Sequence, residues 1–382
     1  MHICLNLSAS ASWMGGVIYI QNIARAINSL PAEETQDIKL SVTVSRSNIS
    51  LVKPISNCLD KIYVNESFYL KSLKNLAEYF PLIPVKLFNP YKIDFLYPTV
   101  CGNNSPFAWG GWIPDFQAYY FPEFFTPKLI ESCKQWHKVV SQSASVAVFS
   151  SEVARKDFRN FYPESKVPTE VLHFATSPEE NWFHLNPIEV QQKYSLSDHF
   201  FLVCNQFCKH KDHTVIIEAL DFLRKRGHKL MVVCTGKTED PRDSAFFGQL
   251  VRKIKSLGLQ EQFVILGLIP RIDQIQLMRR CLAVIQPSRF EGWSTVVEDA
   301  RTMGKPVILS DIPVHLEQNP PYSYFFSQGN SQDLANIIQQ ATDALKPGPD
   351  PEAERKAKEE NLARLQQFGR RFLEIALTAN QS

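Results

Sequence analysis

The sequence predicts an α/β protein of two doubly wound, parallel-sheet domains, and three observations carry that prediction. Both halves alternate short apolar runs with amphipathic stretches, the pattern of helices wrapped on a parallel sheet. The 382 residues are about 2.5 times a typical domain of roughly 150 residues. A polar, irregular stretch carrying Pro178 and Pro187 separates the halves. The expected organisation is therefore a first domain over 1–176, a linker over 177–197, a second domain over 198–350 and a terminal helix over 351–382.

In the first half the expected strands are HICLNLS, IKLSVTVS, KIDFLYPTV, GGWIPDF and SVAVFSS; in the second they are FFLVCNQ, KLMVVCTG, FVILGLI, LAVIQPS and PVILSD. HTVIIEALDFLRKRG is the clearest helix, with basic residues in its last turn and Gly227 as its stop. After Pro347, charged residues are followed by Leu362, Leu365, Phe368, Phe372 and Ile375 at helical spacing, one apolar stripe that must dock on something. Two such domains would leave a cleft at the carboxyl ends of their sheets, where this fold class binds ligands.

Composition narrows the function. The chain is 44% hydrophobic and 21% charged, ordinary values for a globular protein with a real core. Lys plus Arg is 41 and Asp plus Glu is 39, a net charge of +2 that offers no bulk attraction for nucleic acid. No apolar run approaches the roughly 18 residues that span a bilayer, and the N-terminus lacks the layout of a signal peptide. A reducing cytoplasm is the expected location, since eight scattered cysteines make no disulfide framework. Cys204, Cys208, His210 and His213 invite a zinc reading, but the spacing departs from a zinc knuckle and Cys204 lies within an apolar run. No metal is expected. The stretch 68–88 is amphipathic, and with the basic and aromatic residues of 128–159 it could touch a membrane surface. A packed helix with a solvated face is the simpler account of it.

The most informative segment is 285–318, IQPSRFEGWSTVVEDARTMGKPVILSDIPVHLEQ. A buried strand ends in a glycine-containing loop, and a helix follows. Free backbone N–H groups and the positive helix end then suit a phosphate. Thr295 and Glu298 form a capping-box pattern, so Glu298 is expected to face solvent as a cap. Asp299 falls at the border of the buried face, from where it could reach the cleft. Glu291 precedes the helix. A carboxylate beside phosphate is repulsive unless it serves neutral hydroxyls, as on a sugar; the spacing alone leaves that role and a solvated surface role equally open.

This segment resembles the C-terminal signature of glycosyltransferase family 4, retaining enzymes of the GT-B fold that use nucleotide-sugar donors. The resemblance rests on Glu291 and Asp299 flanking seven residues, then Gly304-Lys305-Pro306-Val307 and a strand ending in Ser310-Asp311. It implies two Rossmann-like domains facing across a cleft, acceptor on the first and donor on the second, with the terminal helix crossing back to the first. It further implies that Glu291 meets hydroxyls of the transferred sugar and Asp299 the ribose. Gly292, Trp293, Ser294 and Thr295 would offer N–H groups to the donor.

The likeness extends along the chain. Asn205-Gln206-Phe207 followed by Lys211 is similar to the family's Gly-Arg-Leu…Lys element, with Gln206 where the family has arginine. Lys211, on the residues alone a solvated loop charge, would neutralise the donor diphosphate. Gly15-Gly16, otherwise a plain strand-to-helix turn, would face the phosphates. GGWIPDF resembles the strand that usually ends in His-Asp; Pro114 holds the histidine position and Asp115 is kept. Gly267, Ile269 and Arg271 would meet the base, and Ser150-Ser151 resemble the small residues opening the next helix, a place that capping explains equally well.

The function implied is a metal-independent, retaining transfer of a hexosyl group from a UDP- or GDP-linked sugar to a glycan or lipid-linked acceptor, in cell-surface polysaccharide or glycoconjugate synthesis. No cofactor is expected beyond that co-substrate. The location implied is cytoplasmic, with peripheral contact at the inner membrane face. The alternative is a catalytically weakened nucleotide-sugar-binding subunit, suggested by Pro114 and Gln206. A nucleotide-dependent oxidoreductase would need three glycines within six residues after the first strand, and only Gly15-Gly16 is there.

Overall fold

Near-continuous apolar runs make strands that must be covered on both faces. In the computed structural model, which describes residues 1–7, 13–65, 89, 91–240 and 242–381, they assemble into two parallel sheets. The chain divides into two compact units: 1–116, 127–177 and 362–382 in one, 117–126 and 178–361 in the other.

Among the described residues the first sheet has seven strands. They are β1 (His2–Leu7), β2 (Lys39–Ser45), β3 (Lys61–Asn65), β4 (Phe95–Tyr97), β5 (Ala108–Ile113), β6 (Val146–Phe149) and β7 (Thr169–Val171). Their order is β3-β2-β1-β4-β5-β6-β7. The helix Met14–Asn28 buries Val17, Ile20, Ile23 and Ile27 against this sheet. Its Tyr19 hydroxyl lies 2.6 Å from that of Tyr97, so two buried phenols satisfy each other. Residues 362–381 pack on the same helix. Phe372 meets Tyr97 edge-on at 5.2 Å between ring centroids. A Cβ on Gly369 would lie 2.7 Å from the Ala26 carbonyl oxygen, so only glycine allows that approach. Leu365, Phe368, Phe372 and Ile375 are buried as the stripe predicts, but Leu362 is 53% exposed.

Among the described residues the second sheet has six strands: β8 (Phe200–Cys204), β9 (Met231–Thr235), β10 (Phe263–Gly267), β11 (Val284–Gln286), β12 (Val307–Ser310) and β13 (Ser323–Phe326). Their order is β10-β9-β8-β11-β12-β13. Every residue of β8 is buried. The expected helix forms as His213–Lys225, and Gly227 sits just beyond it at φ +86°.

Three differences from the sequence reading stand out. The stretch 177–197 is not irregular: it contains the helices Asn181–His184 and Pro187–Lys193. Gln191 accepts from the Arg280 guanidinium at 2.6 Å and Gln276 donates to the Trp182 carbonyl at 2.9 Å, which places this stretch within the second unit. Residues 117–126 also pack there, with Tyr120 and Phe121 on Phe290 and the Arg242 guanidinium over Phe125. The helix Pro351–Gln381 contributes its first turns to the second unit, where Glu354 holds Arg279 at 2.7 Å. The stretch 68–88 lies outside the described residues. No helix among the described residues is long and apolar enough to cross a membrane.

Candidate functional site

The candidate site is built in the second unit, where the chain leaves the carboxyl ends of β8 and β11. Asn205 follows β8 and is buried. Gly236, after β9, lies at φ +139°, and a Cβ there would come within 2.2 Å of the Asn205 carbonyl oxygen. Only glycine lets the two strand ends sit this close. A short turn, Lys209–Lys211, then carries Lys211 inward, and its ammonium meets Glu291 Oε1 at 2.5 Å. Backbone ties fasten the two loops: Arg289 N–H donates to the His210 carbonyl at 2.7 Å, and the Arg289 guanidinium meets Asp212 at 3.3 Å.

Glu291 is a half-buried anion. Burial pushes its carboxyl up, but the charges of Lys211 and His315, with hydrogen bonds from Lys211 and Ser288, outweigh it and hold the group down from 4.5 to about 2. Gln286 Nε2 also donates to Oε1, at 2.8 Å. The carboxylate therefore stays charged at any physiological pH and can accept hydroxyl protons without competing for a proton of its own.

The helix after Glu291 begins differently from the capping box expected. Ser294, not Thr295, is the cap, and its hydroxyl accepts from Val297 N–H. That frame puts Glu298 one position beyond the box, where it is fully buried rather than solvated. Gln318 satisfies it: Nε2 donates to Glu298 Oε1 at 2.8 Å and to the Ser294 carbonyl at 2.9 Å. Asp299 is 2% exposed and meets the Arg271 guanidinium at 2.6 Å. Arg271 opens the helix Arg271–Arg280, reached through Gly267 at φ +68°, and also lies over the Trp182 ring. Ile269 packs half-buried on the apolar cluster around Trp182. Gly292, Trp293 and Thr295 are half-buried along the loop and helix start.

Gln206 donates to the Glu239 carbonyl at 3.0 Å. In the motif that follows, Gly304 sits at φ +60°, Lys305 Nζ donates to the Arg279 and Gly348 carbonyls, and Ser310 donates to the Ser288 carbonyl at 2.6 Å. The cysteine–histidine cluster is neutral: burial pushes the Cys204 thiol up to about 12 and lowers His210 and His213 to about 3. Among the described residues no group of three or more His, Cys, Asp or Glu side chains is placed to hold a metal ion.

The remaining candidates lie in the first unit. Gly15 and Gly16 are not in a loop; they form the first turn of the helix Met14–Asn28. A Cβ on Gly16 would lie 2.7 Å from the Trp13 ring, which stacks on Trp112 at 5.3 Å. Glycine here makes room for the indole. Residues 8–12 lie outside the described residues. Pro114 and Asp115 follow β5, half-buried. Ser151 caps the helix Glu152–Phe161, and the Ser150 hydroxyl accepts from the Trp112 indole at 3.0 Å, so packing and capping account for both serines.

The structure thus gathers Asn205, Lys211 and Glu291 into one network and pairs Asp299 with Arg271. Sequence reading missed Gln286, His315 and Gln318. Gln286, a lone amide ending the apolar strand LAVIQ, was the available signal, since a buried amide must find partners.

This is the GT-B fold of glycosyltransferases. The match to HepE of Anabaena, solved in complex with UDP and glucose, covers 98% of each chain with a TM-score of 0.69 and 17% identity. Residues 188–359, most of the second unit, match the family glycosyl transferases group 1. Over 123 residues the chain is 20% identical to mannosylfructose-phosphate synthase of Agrobacterium fabrum, covering 32% of this chain and 27% of the relative. Over 106 residues it is 27% identical to the putative glycosyltransferase EpsF of Bacillus subtilis, covering 28% and 26%. The chain thus spans about a quarter of the length of either curated relative.

Proposed function

We propose that the protein is a retaining glycosyltransferase that moves a hexosyl group from a UDP- or GDP-linked sugar to a glycan or lipid-linked acceptor, without a metal ion. The observation that carries the reading is the half-buried Lys211–Glu291 pair at the mouths of β8 and β11. One carboxylate kept ionised beside one ammonium suits a ligand with neutral hydroxyls at one end and a diphosphate at the other. As the glycosidic C–O bond breaks, negative charge grows on the diphosphate and positive charge on the sugar. Lys211 and the N–H groups of Gly292, Trp293 and Thr295 stabilise the first, while the Ser294 N–H, also expected to serve the donor, is held by Gln318 Oε1 at 3.3 Å. Glu291 accepts sugar hydroxyls and orients the ring. Asp299 takes ribose hydroxyls, its charge balanced by Arg271, while Gly267, Ile269 and Arg271 border the base. Asn205 and Gln206 line the same strand end. Asp115 is assigned to the catalytic group with Glu291 and Lys211, and the Gly15-Gly16 turn to the donor phosphates. The setting is cytoplasmic polysaccharide or glycoconjugate synthesis, with peripheral contact at the inner membrane face.

A thermal-shift comparison of UDP, GDP, ADP and their sugars tests the reading, because a ligand specific to the native state raises the melting temperature. Product formation that is lost in Glu291→Ala supports it; no shift with any nucleotide sinks it. A second reading, a nucleotide-sugar-binding subunit without turnover, is favoured by the Gln206 amide, which replaces an arginine charge and is spent on the Glu239 carbonyl. Binding without product for any donor would select it.

A further inference from the structure

Gln286 is fully buried at the end of an apolar strand, yet every hydrogen-bonding group of its amide is used. Its Oε1 accepts from Asn205 Nδ2 at 2.9 Å, and its Nε2 donates to Ser288 Oγ at 3.2 Å and to Glu291 Oε1 at 2.8 Å. The amide orientation follows from chemistry: an ionised carboxylate only accepts, so the NH₂ end must face Glu291. Lys211 converges on the same oxygen. Glu291 Oε1 thus takes both the amide and the ammonium donor, and Oε2 takes neither.

We propose that Gln286 is a positioning residue: it locks the Glu291 carboxylate with Oε1 turned to the protein and Oε2 presented to a hydroxyl of the donor sugar. This inference rests on the glycosyltransferase reading and deepens it. Lys211 alone could not fix the rotation, because an ammonium on a flexible stem is a point charge that follows the carboxylate. The amide is different. It is a planar group held at its other end by Asn205, on a strand that cannot shift, so it sets the plane in which the carboxylate lies. The sugar, not the nucleotide, should feel its loss.

The test is calorimetric titration of the full chain with UDP and with UDP-glucose, and with GDP and GDP-mannose alongside, in the wild type, Gln286→Met and Gln286→Asn. Gln286→Met keeps the volume and removes the hydrogen bonds. Affinity for the sugar nucleotide should fall at least fivefold relative to that for the nucleotide alone, whose own affinity stays within about twofold. Gln286→Asn keeps an amide one methylene short and serves if the methionine variant fails to fold; it should lose the sugar affinity in the same selective way. In turnover, kcat should fall with little change in the KM for acceptor. Equal weakening of nucleotide and sugar nucleotide, or no change in either, overturns the positioning role and leaves the glycosyltransferase reading intact. If the wild type binds none of the four ligands, both fall.

Discussion

Replacing Lys211 by methionine strips a half-buried carboxylate of its cation while leaving the packing stem. The two side chains are 18% and 9% exposed and 2.5 Å apart, so water can compensate only in part. The folded Glu291 carboxyl is lowered from 4.5 to about 2, so its contribution is present above an ordinary carboxylate value and lost as pH falls through about 2. At about 1.4 kcal/mol per pH unit, that depression is worth about 3 kcal/mol at neutral pH. Gln286, Ser288 and His315 remain in the variant, which leaves about 2 kcal/mol for Lys211. Urea unfolding of the full chain at pH 7 should show a deficit of that size for Lys211→Met. By pH 3 the deficit should shrink to roughly half or less, because the variant's carboxyl, no longer held down by Lys211, is by then largely protonated and needs no cation. A deficit that stays constant from pH 7 to pH 3 would mean lost packing instead. No deficit at all would mean the pair contributes nothing; either result refutes the electrostatic argument.

Three further outcomes are expected. Gln318→Leu, which removes the amide held between Glu298 and the Ser294 carbonyl, should cost about 2–3 kcal/mol in urea unfolding, since a buried acceptor loses its donor. Gly236→Ala should destabilise by at least about 2 kcal/mol and weaken nucleotide binding, because its Cβ would sit 2.2 Å from the Asn205 carbonyl oxygen; unchanged melting would contradict that clash. Arg271→Leu leaves Asp299 2% exposed without its guanidinium. Because the arginine side chain is itself 38% exposed, the loss should be about 1–2 kcal/mol, read by thermal melting in 0.1 M and 1 M salt.

Much of the architecture was legible in the chain. Apolar runs such as FFLVC and VILS can be only buried strands, and glycine at 227 and 304 marks where a helix must stop. The missed strands, KIYVN, TEV and SYFF, are three to five residues long and lie at sheet edges, where pairing on one side only leaves a brief apolar pattern. The candidate site was legible where residue type dictates chemistry, as with Lys211, Glu291 and Asp299. Glu298 shows where such reading stops. Its position relative to Thr295 suggests a solvent-facing cap, but the helix starts at Ser294 and turns Glu298 inward to Gln318, 20 residues away in sequence.

By itself, then, the sequence determined the alternation of strand and helix and the set of ionisable groups, because those follow from local periodicity and side-chain chemistry. Only the tertiary structure decided which groups meet. Lys211 and Glu291 are 80 residues apart, and Asn205 and Gln286 are 81. They are joined because parallel pairing places β8 beside β11, so that both chains emerge from the sheet at the same end.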